Sequence, residues 1–403
     1  MDEAPTRVAL VCPFALRPKA TVSARALPIA AELQRRGHDV RLFVPPWDDP
    51  ASAGLISDIG GVAVEQVALA CGPPGTLGRL ARAVARFGPT LIHAFKPIGY
   101  SAGVAQLNAL RSVVPGRRLP LVLDSDDWEG PGGWNERRPY PGWARRIGAW
   151  QERWCYCHAN ALTLASDDLR TLAWSLGVPP SRTFAVPNGL SAPLPAPAPE
   201  KVEEVRRQHG LSAETVLLYT RLAEFPPAWP VAFLAALRRH HPDAQLLVVG
   251  KGLAGEENQL LAEARSAGLE SALRYAGWVQ PEDLPAHLTA GQVAIVPFED
   301  TLVARTKSSV KLLELMSLGM PVVASAVGEN VRFLGYGSAG VLVPPPLDAE
   351  EWAGAVGALL RDPARREQLG QAAIRRLREE YLWSKLADRI EAAYRRAHEA
   401  RLA

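Results

Sequence analysis

Short apolar runs alternate with amphipathic stretches along this chain. RVALVCPF (residues 7–14) reads as a buried strand, ALRPKATVS as a loop, and ARALPIAAELQRRG as a helix. In that helix Leu27, Ala30, Ala31 and Leu33 give an apolar stripe, and Gly37 suits its C-terminal stop. HDVRLFVPP returns to strand, which completes one βαβ unit. GPTLIHAF, RLPLVLDSDD, ANALTLAS and RTFAVPNG read as further strands. Tyr100–Leu110, Trp143–His158 and Asp167–Leu176 read as the helices between them. Such alternation builds parallel sheets covered by helices, so the class is α/β.

SAPLPAPAP (191–199) interrupts the pattern as a Pro/Ala-rich linker. The alternation then restarts. ETVLLYT, AQLLVVGKG, LRYAGWV, QVAIVPF and PVVAS read as strands, separated by the helical stretches PVAFLAALRRH, ENQLLAEARSAG, PEDLPAHLTAG and SSVKLLELMSLG. From Ala349 onward the chain reads as helical and charged. The expected organisation is a first Rossmann-like domain at 1–195 and a second at 196–380. A final helix at 381–403 is expected to pack back toward the first domain.

At about 150 residues per domain, 403 residues accommodate that plan. The net charge of +3 is too small to point to nucleic acid. Cys12, Cys71, Cys155 and Cys157 form neither a disulfide framework nor a zinc pattern. The start, MDEAPTR followed by VALVCPFAL, lacks a basic region and a cleavage site, so it does not read as a signal peptide. No stretch reaches the roughly 18 apolar residues of a membrane span. A cytoplasmic protein is expected. Trp143 to Trp154, with Arg145, Arg146 and Arg153, admits peripheral contact with an anionic membrane or an ordinary packed surface helix. Nothing in the sequence speaks to oligomeric state.

The order of motifs resembles the group 1, or family 4, glycosyltransferases, most strongly over 154–360. KLLELMSLGMPVVAS is similar to the family's signature helix and strand. GWVQPEDLPAHLTAGQVAIVPF is similar to the element before it, with Gln292 in place of the usual Asp. WCYCHANALTLAS, LGVPPSRTFAVPNGL and ELQRRGHDVRLF are similar to parts of the first domain. The resemblance implies the GT-B fold, two Rossmann-like parallel-sheet domains facing across a cleft. It also implies a nucleotide-sugar donor (a UDP- or GDP-sugar) on the second domain and a hydroxyl acceptor on the first. Transfer would proceed with retention of configuration and without a metal or other cofactor. Two other readings stay open: a catalytically silent GT-B-like binding or scaffold protein, and a nucleotide-sugar epimerase.

Breaking a sugar–phosphate bond without a metal requires cations and N–H donors on the leaving diphosphate. Thr306, Lys307, Ser308, Ser309 and Lys311 surround a predicted helix N-terminus suited to that task. The resemblance makes Glu314 the ribose-binding acid and Arg221 a phosphate-binding arginine. The family's lysine some five residues beyond that arginine is absent, replaced by Phe225, Pro226 and Pro227. Lys307 is the candidate to supply that charge. Thr306 stands where the family often carries a first glutamate, which leaves the donor sugar open. Gly250, Gly277 and Val279 suit close backbone approach to a nucleotide.

In the first domain His93 matches a histidine often found at this strand end. Thr21, Ser23 and Arg25 suit either contact with a sugar or diphosphate, or plain helix capping. Asp124-Ser125-Asp126 has the Asp-X-Asp pattern of metal-dependent transferases, but binding of acceptor hydroxyls by Asp126 or Asp127 is favoured. GPGGWNERRPYPGW is expected to be a mobile loop over that pocket, with Trp128, Trp134 and Trp143 available to stack on a sugar or shield the cleft.

Overall fold

A computed structural model describes residues 6–16, 21–110, 118–137 and 140–402. Its chain separates into two compact units. The first holds the residues up to Ser191 together with Thr306–Ser308 and the segment from Trp383. The second holds Ala192–Arg305 and Ser309–Leu382.

In the first unit, β1 (Arg7–Val11) leads through a π-helical turn at Thr21–Ala26 into α1 (Leu27–Arg35). Next come β2 (Asp39–Val44), β3 (Ile56–Ile59), β4 (Val62–Gln66) and α2 (Gly72–Phe87). β5 (Leu91–Phe95), α3 (Gly99–Leu110), β6 (Leu121–Ser125) and α4 (Gly142–His158) follow. β7 (Ala161–Leu164), α5 (Asp167–Ser175) and β8 (Thr183–Ala185) complete the run. The eight strands lie in the order β3-β4-β2-β1-β5-β6-β7-β8, parallel except for β3 against β4. The order reverses between β1 and β5, and ligands of open α/β sheets bind beyond the carboxyl ends of strands at such a switch.

The second unit opens with α6 (Pro199–His209), β9 (Thr215–Tyr219), α7 (Trp229–Arg238), β10 (Gln245–Val249) and α8 (Glu256–Ser266). It continues with β11 (Leu273–Gly277), α9 (Leu284–Leu288), β12 (Val293–Val296), α10 (Leu302–Thr306) and α11 (Val310–Ser317). β13 (Val322–Ser325), α12 (Glu329–Phe333), β14 (Val341–Val343), α13 (Ala349–Arg361) and α14 (Pro363–Glu380) end it. Its six strands, β11-β10-β9-β12-β13-β14, are all parallel, with the switch between β9 and β12.

The last helix, α15 (Trp383–Leu402), is part of the first unit's core. Its Trp383, Leu386, Ile390 and Tyr394 pack with Leu10, Leu33, Leu42 and Val122. The second core gathers Leu218, Phe233, Leu246 and Ile295, and closes under Trp229 and Trp352, whose rings meet edge-on at 5.1 Å. Burying each such aliphatic side chain contributes about 1.5–3 kcal/mol. Local signals set the helix ends. Gly88, at φ +67°, takes the left-handed position that stops α2. Asp348 caps α13 by accepting from the backbone N–H of Glu350 and Glu351.

Candidate active site

At the carboxyl end of the first sheet the acids of DSDD are bound by protein cations. Arg25 is buried and donates through Nε and Nη2 to both oxygens of Asp124, each at 2.7 Å. Other donors of the group reach Asn188 Oδ1 at 3.0 Å and the Val186 carbonyl at 2.9 Å. A buried guanidinium requires acceptors for its fork, and these take four of its five N–H donors. Arg25 is therefore a cross-brace within the unit. Thr21 Oγ1 donates to Asp126 Oδ2 at 3.0 Å. Pro18–Ala20 of the same loop lie outside the described residues.

Lys96 was not anticipated. It follows β5 at φ +56°, buried, with Nζ 2.8 Å from Glu129, 3.3 Å from Asp127 and 3.4 Å from Asp126. Burial opposes its charge, yet Asp126, Glu129 and Asp127 hold its pKa well above the ordinary lysine value. Burial likewise works against the Asp126 carboxylate, but Lys96 and Arg25 keep its pKa below normal. Burial raises Asp127, and its acidic neighbours Asp126 and Glu129 add to the rise. Glu152 accepts from the Glu129 backbone N–H, and burial pushes its pKa up to about 8.

His93 is fully buried in β5. Its Nδ1 lies 2.9 Å from the Tyr394 hydroxyl and its Nε2 3.2 Å from Thr163 Oγ1. Thr163 in turn donates to Asp124 at 2.7 Å. Burial, and then Arg25, lower the His93 pKa to about 3, so the ring is neutral. Both nitrogens are occupied by protein groups, the arrangement of a structural histidine.

The segment after Asp127 is packed. Trp128 is buried edge-on against Tyr156 at 5.9 Å and donates to the Pro131 carbonyl. The expectation of a mobile loop with Trp128 open to a sugar is corrected for this stretch, because the indole fills the space above α4. Trp134 is half-buried and Trp143 exposed, while Arg138 and Pro139 lie outside the described residues.

In the second unit β9 ends at Tyr219, and Arg221 follows in the loop. Lys311 and Glu314, three apart on α11, share a helix face directed at that strand end. Tyr219 Oη donates to Glu314 Oε2 at 2.8 Å, and the Lys311 ammonium stands 4.2 Å from the centre of the Tyr219 ring. Burial raises the Glu314 pKa, against the Tyr219 hydrogen bond and Lys311. Burial lowers the Lys311 pKa and so does Arg221, whereas Glu314 opposes the shift. Arg221 is half-buried, and the structure shows no carboxylate paired with its side chain among the described residues. Arg221 and Lys311 thus stand at the switch point with two acids near them, Glu314 beside Lys311 and Glu224, which accepts from Thr220 Oγ1 at 3.1 Å.

The rest of the expected donor set divides into two groups. Ser309 caps α11, accepting from Leu312 N–H. Ser308 accepts at Oγ from the Asn188 backbone N–H and at its carbonyl from the Asn188 amide, each at 2.8 Å. Thr306 is fully buried at the end of α10, and Lys307 is half-buried beside it. Gly250, at φ +131°, donates to the Gly277 carbonyl at 2.7 Å, and a Cβ there would lie 1.9 Å from the Thr220 carbonyl oxygen. Only glycine fits that approach. Val279 is half-buried just beyond Gly277. A cavity of about 440 Å³ at the β3–β4 edge, lined in part by Arg79 and Arg82, lies apart from these strand ends.

Two family models match the chain: the glycosyl transferase 4-like domain over residues 21–189 and glycosyl transferases group 1 over 221–362. The chain belongs to the group 1, family 4 glycosyltransferases. The D-inositol 3-phosphate glycosyltransferase of Geodermatophilus obscurus is 32% identical over 273 residues, 65% of this chain and 57% of that protein. Matches with five of the curated relatives span 48–59% of those proteins' own lengths. The sucrose-phosphate synthase of Thermosynechococcus elongatus has the same fold, with a TM-score of 0.75 at 20% identity over 98% of this chain and 100% of that one. Anabaena HepE, solved with UDP, gives 0.72 at 18% identity over 96% of this chain and 98% of that one. The fold is GT-B.

Proposed function

We propose that this protein transfers a glycosyl residue from a nucleoside diphosphate sugar to a hydroxyl acceptor, with retention of configuration and without a divalent metal. The observation that carries this is the placing of two cations, Arg221 and Lys311, beside the Tyr219-held Glu314 at the switch point of the second sheet. As the sugar–phosphate bond breaks, negative charge collects on the leaving diphosphate. Arg221, Lys307 and Lys311 would stabilise it, aided by the N-terminus of α11. Glu314, oriented by Tyr219, would accept the ribose hydroxyls. UDP in the Anabaena structure supports a nucleotide donor. The name of the Geodermatophilus relative supports a polyol hydroxyl as acceptor. The engagement of Asp124 by Arg25 and of Asp126 by Lys96 supports a reaction in which these acids hold no metal.

The test is thermal stabilisation by UDP-, GDP-, ADP- and dTDP-sugars, with and without EDTA, followed by a donor-hydrolysis assay. A ligand at one hundred times its Kd adds about 2.7 kcal/mol. One nucleotide class should stabilise the protein regardless of EDTA and be hydrolysed slowly. Stabilisation abolished by EDTA overturns metal independence. Binding without turnover favours the silent binding protein, and epimerised donor without acceptor favours the epimerase. Lys307→Ala should lose about 2–4 kcal/mol of transition-state stabilisation, and normal turnover by this variant removes Lys307 from the mechanism.

A further inference from the structure

Helix α4 buries Glu152, Cys155 and Tyr156 on one face. Its opposite face is apolar and open: Trp143 is 67% exposed, Ile147 48% and Trp150 57%. Their spacing of four and three residues places them on one line, and half-buried Trp154 extends it by another turn. The row runs for about 16 Å along the helix. Leu110, 68% exposed at the end of neighbouring α3, adds to the apolar surface.

Arg146 and Arg153, seven residues apart and both exposed, border this row on one side, and Arg145 is exposed beside them. No exposed position of α4 carries an acid, since Glu152 is buried. Monomeric proteins rarely leave such a row open to water, so something covers it. The charge selects the occupant. A second copy laid along the same face would bring arginine rows together, whereas an anionic lipid surface neutralises them. Tryptophan also favours the headgroup level of a bilayer, where its ring is apolar and its N–H stays wet.

We propose that α4 lies flat on an anionic lipid surface, with Trp143, Ile147 and Trp150 inserted at headgroup depth and Arg146 and Arg153 on lipid phosphates. This does not depend on the transferase reading. No described helix is long and apolar enough to cross a membrane, so the contact is one of lying on the surface.

The experiment is co-sedimentation of the full chain with vesicles of phosphatidylcholine alone, or of phosphatidylcholine and phosphatidylglycerol in equal parts. Tryptophan quenching by brominated lipid reports insertion. The chain should bind the anionic vesicles, more weakly at high salt, with quenched fluorescence. Trp143→Ala and Trp150→Ala should each weaken partition about tenfold. Arg146→Gln and Arg153→Gln should each cost about fivefold on anionic vesicles only. Ile147→Glu places an acid within the row and should abolish binding by a separate route. All these side chains are exposed, so melting temperatures should match the parent protein. Failure to bind anionic vesicles, equal binding to neutral ones, or undiminished binding by the Trp143→Ala/Trp150→Ala double variant overturns the proposal. Lipid-free dimerisation in sedimentation velocity that the double variant abolishes also overturns it, in favour of a second copy.

Discussion

The two units carry the same kind of sheet but treat charge at their strand ends in opposite ways. In the first, Arg25 is matched by Asp124, and Lys96 by Asp126, Asp127 and Glu129, all inside the protein. In the second, Arg221 and Lys311 share a strand end whose nearby acid, Glu314, is held by Tyr219. A saturated cluster braces the fold. In the second, Arg221 has no carboxylate paired with its side chain among the described residues, which leaves its guanidinium open to an anionic ligand under the proposed function. The comparison predicts that the first cluster matters to stability and the second to binding.

The largest effect should come from breaking the brace. Asp124→Asn leaves Arg25 buried with an uncompensated charge, and thermal or denaturant unfolding should show a loss of about 3–5 kcal/mol. A loss below about 1 kcal/mol would dissolve the distinction between the clusters. Arg221→Ala should do the reverse, leaving the nucleotide-free melt unchanged while weakening transition-state stabilisation by about 2–4 kcal/mol in donor turnover.

Glu152 sharpens the comparison through pH. Its pKa of about 8 in the fold lies above the ordinary glutamate value, so between the two the folded state holds a proton that the unfolded state has lost. Its stabilising contribution is therefore present at low pH and lost as pH rises toward and through 8. Glu152→Gln should remove on the order of 2 kcal/mol of the stability otherwise lost between about pH 6 and 8. Melts at both values check this, and an unchanged pH dependence assigns the effect elsewhere. The smallest change is expected from Tyr219→Phe, which frees Glu314 from one hydrogen bond. It should cost about 0.5–1.5 kcal/mol in nucleotide affinity, read by calorimetry, with Lys311 still over the ring.

Buried parallel strands were legible because their runs, such as LLVV at 246–249, are apolar on both faces. The stretch with β3, β4 and α2 was not. VAVEQ alternates weakly, and α2 begins with GPPGT, which reads as loop. Helix α6 went unread because PEKVEEVRRQH buries only Val205 and shows no apolar stripe. At the site, Lys311 and Glu314 were readable from helical spacing, but Tyr219 was not, since nothing in LLYT marks a tyrosine that will hold an acid 95 residues away. The Arg25–Asp124 pair was not legible for the same reason: the two residues lie 99 positions apart.

Helix α15 has a consequence for how the chain is made. The first unit's core includes Trp383, Leu386 and Ile390, and the buried His93 finds Tyr394 across 301 residues. During synthesis that core stays incomplete until the whole second unit has left the ribosome. The early half must wait with part of its apolar sheet face open, the condition under which partly folded chains associate with one another.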